Sequence, residues 1–143
     1  MQVPEYKTLF IGPSGIGKTS FLTKLYHRRD NVDVLNISNT IGVDVKPVTL
    51  HQDYRKIRLN VWDCAGNQKY KGLGKEYYLN ADIAVIFKTD NINITDICRD
   101  ILEMCGDIPV LIFDNFNKYS DYREYSERLT NFVFQQFQHV LMY

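Results

Sequence analysis

Short apolar runs alternate along the chain with longer stretches whose apolar residues recur every three or four positions, the pattern of βαβ units around a largely parallel sheet. Residues 6–11 form the first run and break into Gly12-Pro13-Ser14-Gly15-Ile16-Gly17, after which Phe21, Leu22 and Leu25 fall on one helix face. Two further runs, 43–50 and 57–62, flank the polar His51-Gln52-Asp53-Tyr54-Arg55 and predict an antiparallel hairpin with a loop of several residues at a sheet edge. Next come an apolar run at 83–87, a helical stretch with Ile94, Ile97, Ile101, Leu102 and Cys105 on one side, and a strand at 108–113. Tyr125, Leu129, Phe132 and Val133 mark a last helix, and 139–143 a last short strand. The fold class is α/β.

Composition narrows the function. With 143 residues and 45% hydrophobic content, the chain is expected to form one domain over 1–143 with its own core. Seventeen Lys and Arg balance seventeen Asp and Glu, so nothing in the net charge points to nucleic acid or an acidic membrane, and an anionic ligand must be held by local geometry. Cys64, Cys98 and Cys105 have neither metal-ligand spacing nor the even count of a disulfide framework, which suits a reducing, intracellular setting. No window approaches the roughly 20 apolar residues that span a bilayer. With Gln2 in place of a glycine and no cysteine near Tyr143, no lipid or membrane anchor is expected.

The strongest chemical signal is Gly12-Pro13-Ser14-Gly15-Ile16-Gly17-Lys18-Thr19, which fits G-x-x-x-x-G-K-[ST] between a predicted strand and a predicted helix. Glycines let the backbone wrap a phosphate chain with its N–H groups inward, and the helix N-terminus adds positive potential. Lys18 brings a full charge to the terminal phosphates, and Thr19 offers a hydroxyl to Mg²⁺. Downstream, Thr40 leads into Ile41-Gly42-Val43-Asp44, and Asp63-Cys64-Ala65-Gly66 closes the third strand as D-x-x-G. A phosphoryl-transfer site needs carboxylate support for its metal and a donor that senses the terminal phosphate, which Asp63 and the Gly66 N–H can supply.

These stretches resemble the Ras superfamily, and their nearest likeness is to Ran. Thr40-Ile41-Gly42-Val43-Asp44-Val45-Lys46-Pro47 and Leu59-Asn60-Val61-Trp62-Asp63-Cys64-Ala65-Gly66 are similar to Ran's switch I exit and switch II entry, with Gly72-Leu73 and Tyr77-Tyr78 continuing the likeness. The resemblance implies a Ras-like P-loop NTPase fold in three layers, with a mostly parallel six-stranded sheet and one antiparallel edge strand. It also implies GTP or GDP with Mg²⁺, a nucleotide-controlled switch that binds transport receptors or Ran regulators, and a place in nucleus and cytoplasm. Carried over by position, Ser14, Gly15, Ile16, Gly17, Lys18, Thr19 and Ser20 form the phosphate loop. Thr19, Thr40 and Asp63 serve the metal, Gly66 senses the γ-phosphate, and Asn115 lies on the base side.

The chain departs from the family at four places. After Gly66 the family has a glutamine that orients the attacking water, where this chain has Asn67 and then Gln68. Asn is one methylene shorter, and a misplacement of about 1 Å can cost on the order of 10²-fold in rate, so hydrolysis is expected to be slow unless Gln68 takes over. The base-reading Asn-Lys-x-Asp motif becomes Asn115-Phe116-Asn117-Lys118, in which Lys118 cannot accept a hydrogen bond; Asp121 and Asp114 are the alternatives. Asp33 stands where the family stacks an aromatic on the base, leaving Tyr26 or His27 as substitutes. Lastly, the chain stops at Tyr143, before the family's Ser-Ala-Lys loop and closing helix. One sheet face beside the first helix should then lie uncovered and serve a homodimer or a partner.

Two functions fit. One is a switch that binds GTP and hydrolyses it slowly through Lys18, Asn67 and Gln68. The other is a non-catalytic Ran mimic that occupies transport receptors or regulators. A P-loop nucleotide kinase would need a lid with clustered arginines, and Arg28-Arg29 reads more simply as a positive helix C-terminus.

Overall fold

The computed structural model describes residues 3–13, 15–28, 43–64, 75–90 and 92–137, with Val43, Asp44, Lys75 and Glu76 described by backbone alone. The elements run β1 (Glu5–Ile11), α1 (Lys18–His27), β2 (Val43–Gln52), β3 (Arg55–Cys64), a short 3-10 helix (Lys75–Tyr78), β4 (Ile83–Phe87), α2 (Ile94–Cys105), β5 (Val110–Phe113) and α3 (Tyr122–Gln136). The described strands form one five-stranded sheet in the order β2-β3-β1-β4-β5. β1 pairs in parallel with β3 and β4, β4 pairs in parallel with β5, and β2 pairs antiparallel with β3 as the expected edge strand. The sixth strand expected at 139–143 lies outside the described residues.

Alternation along the strands splits the core in two. Phe10, Ile57, Leu59, Val61, Ile83, Val85, Phe87 and Phe113 face one side of the sheet, where Phe21, Leu22 and Leu25 of α1 and Leu129, Val133 and Phe134 of α3 meet them. Leu9, Ile11, Ala84 and Ile86 face the other side and meet Ile101, with Ile94, Ile97, Cys98 and Cys105 half-buried beside it. β4 is buried at every position because both of its faces are covered. Trp62 belongs to the second face, where Lys7 Nζ sits 3.9 Å above its ring and the Tyr77 ring lies 6.1 Å away. Among the described residues no helix is long and apolar enough to cross a membrane.

Four sequence expectations change here. The hairpin loop is a two-residue turn at Asp53 and Tyr54, with β2 and β3 running through to Gln52 and Arg55. Asp53 takes φ 55, the positive φ that both favoured two-residue hairpin turns need at their first central position. Leu102 is 60% exposed, and Cys98 takes the inner position assigned to it. The sheet face beside α1 is not bare, because α3 lies across it and buries Tyr125, Leu129, Val133 and Phe134. That removes the apolar patch on which a homodimer was expected; the exposed large apolar side chains among the described residues are Tyr26, Val45, Tyr54, Leu79, Leu102 and Tyr119. The strand expected at 108–113 begins at Val110.

Candidate functional site

The site is built where β1 and β3 end side by side. In their parallel register Phe10 pairs with Asp63 and Ile11 with Cys64, so the glycine-rich loop leaving β1 opens beside the Asp63 strand end. Gly12 packs so closely against β4 that an added Cβ would lie 2.9 Å from Phe87 Cβ. Gly17 carries φ 103 and caps α1 without a side-chain hydrogen bond, and the helix N-terminus that follows it is where backbone N–H groups and the helix dipole favour an anion. Ile16 is 8% exposed and belongs to the core, which leaves its backbone as the part available to a phosphate. Gly15 has φ 84 and open space around it.

Lys18 and Thr19, the first two residues of α1, converge on one carboxylate. Lys18 Nζ donates to Asp63 Oδ1 at 2.9 Å and to the Cys64 carbonyl at 3.3 Å. Thr19 Oγ1 donates to Asp63 Oδ2 at 2.6 Å. Lys18 is 3% exposed and Asp63 0%, so these are buried charges that satisfy one another. Ser20 follows half-buried in the same turn. The threonine hydroxyl and the carboxylate behind it form a donor set that suits Mg²⁺, which uses one or two carboxylates with phosphates and water. Among the described residues no group of three or more His, Cys, Asp or Glu is gathered to form an all-protein cage.

The carbonyl of Cys64 as a Lys18 acceptor had no counterpart in the sequence reading, since a backbone oxygen carries no residue signature. Burial pushes the Cys64 thiol up to about 12, against an opposing pull from the Lys18 charge. Its Sγ lies 3.6 Å from the Trp62 carbonyl.

The base side differs from the family pattern in geometry as well as in sequence. Asn115 is exposed after the end of β5. Phe116, in the family's lysine place, is 6% exposed and packs against Phe21, Phe87, Phe113 and Tyr125 at centroid distances of 5.4, 4.9, 6.1 and 5.0 Å. Asp121 is the N-cap of α3, accepting the Arg123 N–H at 3.0 Å, and Asp114 lies 3.7 Å from Lys88 Nζ. Tyr26 and His27 stay on the last turn of α1, about 12 Å along the helix from Lys18, with Lys46 Nζ 5.3 Å from the Tyr26 ring. Neither stands by the phosphate loop. Ser14, Thr40, Gly66, Asn67 and Gln68 lie outside the described residues.

A family model described as Ras of Complex, Roc, domain of DAPkinase matches residues 7–119, a span that holds the glycine-rich loop, Asp63 and the base-side segment. The finer likeness to Ran rests on the sequence stretches alone. The chain belongs to this Roc family, and with it to the P-loop GTPase domains of the Ras superfamily.

Proposed function

We propose that the chain is a nucleotide-controlled switch that binds GTP and GDP with Mg²⁺ and hydrolyses GTP slowly. One observation carries this reading: Lys18 and Thr19, at the N-terminus of α1, both donate to Asp63, with Lys18 and Asp63 buried and Thr19 half-buried. A lysine and a carboxylate are costly to bury, and here both sit where phosphate and metal would take over their charges. When nucleotide enters, Lys18 turns its ammonium from Asp63 to the terminal phosphates while the α1 amides hold the phosphate oxygens. Thr19 Oγ1 and Asp63 would hold the metal, with Thr40 as a further oxygen donor. Bound Mg²⁺ supplies the charge that neutralises the phosphates. Asn67 and Gln68 position the water, and the shortened Asn67 keeps turnover slow.

Calorimetric titration of nucleotide-free protein with GTP and GDP in Mg²⁺ buffer tests this reading. Tight binding that is lost in Lys18→Ala is expected. Failure of the unaltered chain to bind either nucleotide would reject it.

Burial of Phe116 favours a second reading, because the chain has committed the family's base-side lysine position to its core. In that reading it is a non-catalytic Ran mimic that occupies transport receptors or Ran regulators in nucleus and cytoplasm. Residues 43–47 and 69–78 form its contact surface, with Val45 and Pro47 exposed on β2. Receptor binding by nucleotide-free protein separates the two, since a switch binds only in its triphosphate form.

A further inference from the structure

The segment between β5 and α3 is folded on itself. Asn117 Oδ1 accepts the Tyr119 N–H at 2.8 Å, the Asn117 N–H donates to Ser120 Oγ at 2.8 Å, and the Asn117 carbonyl accepts the Ser120 N–H at 2.9 Å. Of the segment's carboxylates, Asp121 caps α3 and Asp114 lies exposed 3.7 Å from Lys88 Nζ. Lys118 brings donors only. The position from which the family reads the guanine edge therefore carries no carboxylate.

The segment does set its backbone against the phosphate loop. The Lys118 backbone packs on Gly17 so tightly that a Cβ there would lie 2.9 Å from Lys118 Cα and 3.2 Å from its nitrogen. Tyr119, the next residue, is 84% exposed, with Lys118 Nζ 5.2 Å from its ring centroid. An exposed ring beside a cation, one residue from a phosphate-loop contact, is a stacking surface for a flat heterocycle. Stacking of this kind tolerates any base because each has a π-face.

Resting on the reading of the glycine-rich loop as a nucleotide site, we infer that the chain holds its ligand by the phosphates at Lys18 and by stacking of the base on Tyr119. The ligand class is then nucleoside di- and triphosphates without selection between guanine and adenine.

The test is titration of the full chain with GTP, ATP and inorganic triphosphate in Mg²⁺ buffer, using the unaltered protein, Tyr119→Ala, Tyr119→Phe and Lys18→Ala. GTP and ATP are expected to bind within about tenfold of each other. Tyr119→Ala should weaken both by a common factor of about tenfold, Tyr119→Phe should restore them, and inorganic triphosphate should be indifferent to either change. Lys18→Ala should abolish all three. A guanine preference above about 100-fold, or nucleotide binding unchanged in Tyr119→Ala, overturns the inference while leaving the phosphate site intact. Binding of none of the three overturns the phosphate-site reading itself, and the inference with it.

Discussion

Lys18 Nζ lies 2.9 Å from Asp63 Oδ1 with both side chains buried, so the phosphate-loop lysine is held by a carboxylate that arrives from 45 residues downstream. Removing one partner of a buried pair leaves the other charge uncompensated, at a cost of about 3–5 kcal/mol. Lys18→Ala in the nucleotide-free chain is accordingly expected to lose about 3 kcal/mol in urea denaturation, with Thr19 still donating to Asp63. A loss below about 0.5 kcal/mol would mean that the pair opens freely to water.

On the proposed switch reading, metal and nucleotide should arrive together: with Lys18 turned to phosphate, Asp63, 0% exposed, would call for another cation. Stripping Mg²⁺ with a chelator should weaken GDP by about tenfold or more, and in Asp63→Asn that dependence should shrink. Equal GDP affinity with and without Mg²⁺ would contradict this linkage.

Helix α3 is the cover of its sheet face, which sets up a contrast between two leucines. Leu129 is 0% exposed and Leu102 60% exposed. Leu129→Ala is expected to cost about 2–5 kcal/mol and Leu102→Ala to stay within about 0.5 kcal/mol. Similar losses at both positions would place α3 elsewhere. Light scattering should find a monomer, because the face once expected to drive pairing is occupied by the chain's own helix.

Cys64 should be chemically quiet. With its thiol pushed up to about 12 by burial, it holds almost no thiolate at neutral pH. Iodoacetamide at pH 8 should leave it unmodified in the native chain and label it after denaturation. Its folded pKa lies above the unfolded thiol value of about 8.5, so the stability it contributes is complete below that pH and is lost as pH rises toward 12. Denaturation midpoints should fall across that alkaline window, less steeply in Cys64→Ala.

Asn67 carries the prediction about rate. Asn67→Gln restores the missing methylene and is expected to raise single-turnover GTP hydrolysis by on the order of 10²-fold. An unchanged rate would shift the water-positioning role to Gln68.

Much of the fold was legible because its strands are apolar runs and its phosphate loop is spelled in glycines. The hairpin turn was missed because His51, Gln52 and Arg55 read as loop polarity, although they belong to strands whose outer positions are wet. Leu102 was misplaced because it follows Ile101 directly, and helical spacing alone does not say which of two neighbours faces in. The face that α3 covers could not be read from its own residues, since amphipathicity marks an apolar side and not the surface it meets. At the site, Lys18, Thr19 and Asp63 were each named from motifs, whereas their mutual contacts depend on the β1–β3 register. Phe116 was visible as a departure, and its packing required the positions of four other rings.

Trp62 is the chain's single tryptophan and stands one residue before Asp63, with its indole beneath the Lys7 ammonium. Its emission therefore reports from the end of the strand that carries the metal-side carboxylate, with no competing indole to dilute the signal. On the proposed reading, a fluorimeter alone should follow loading of this site, without a label and without altering a residue.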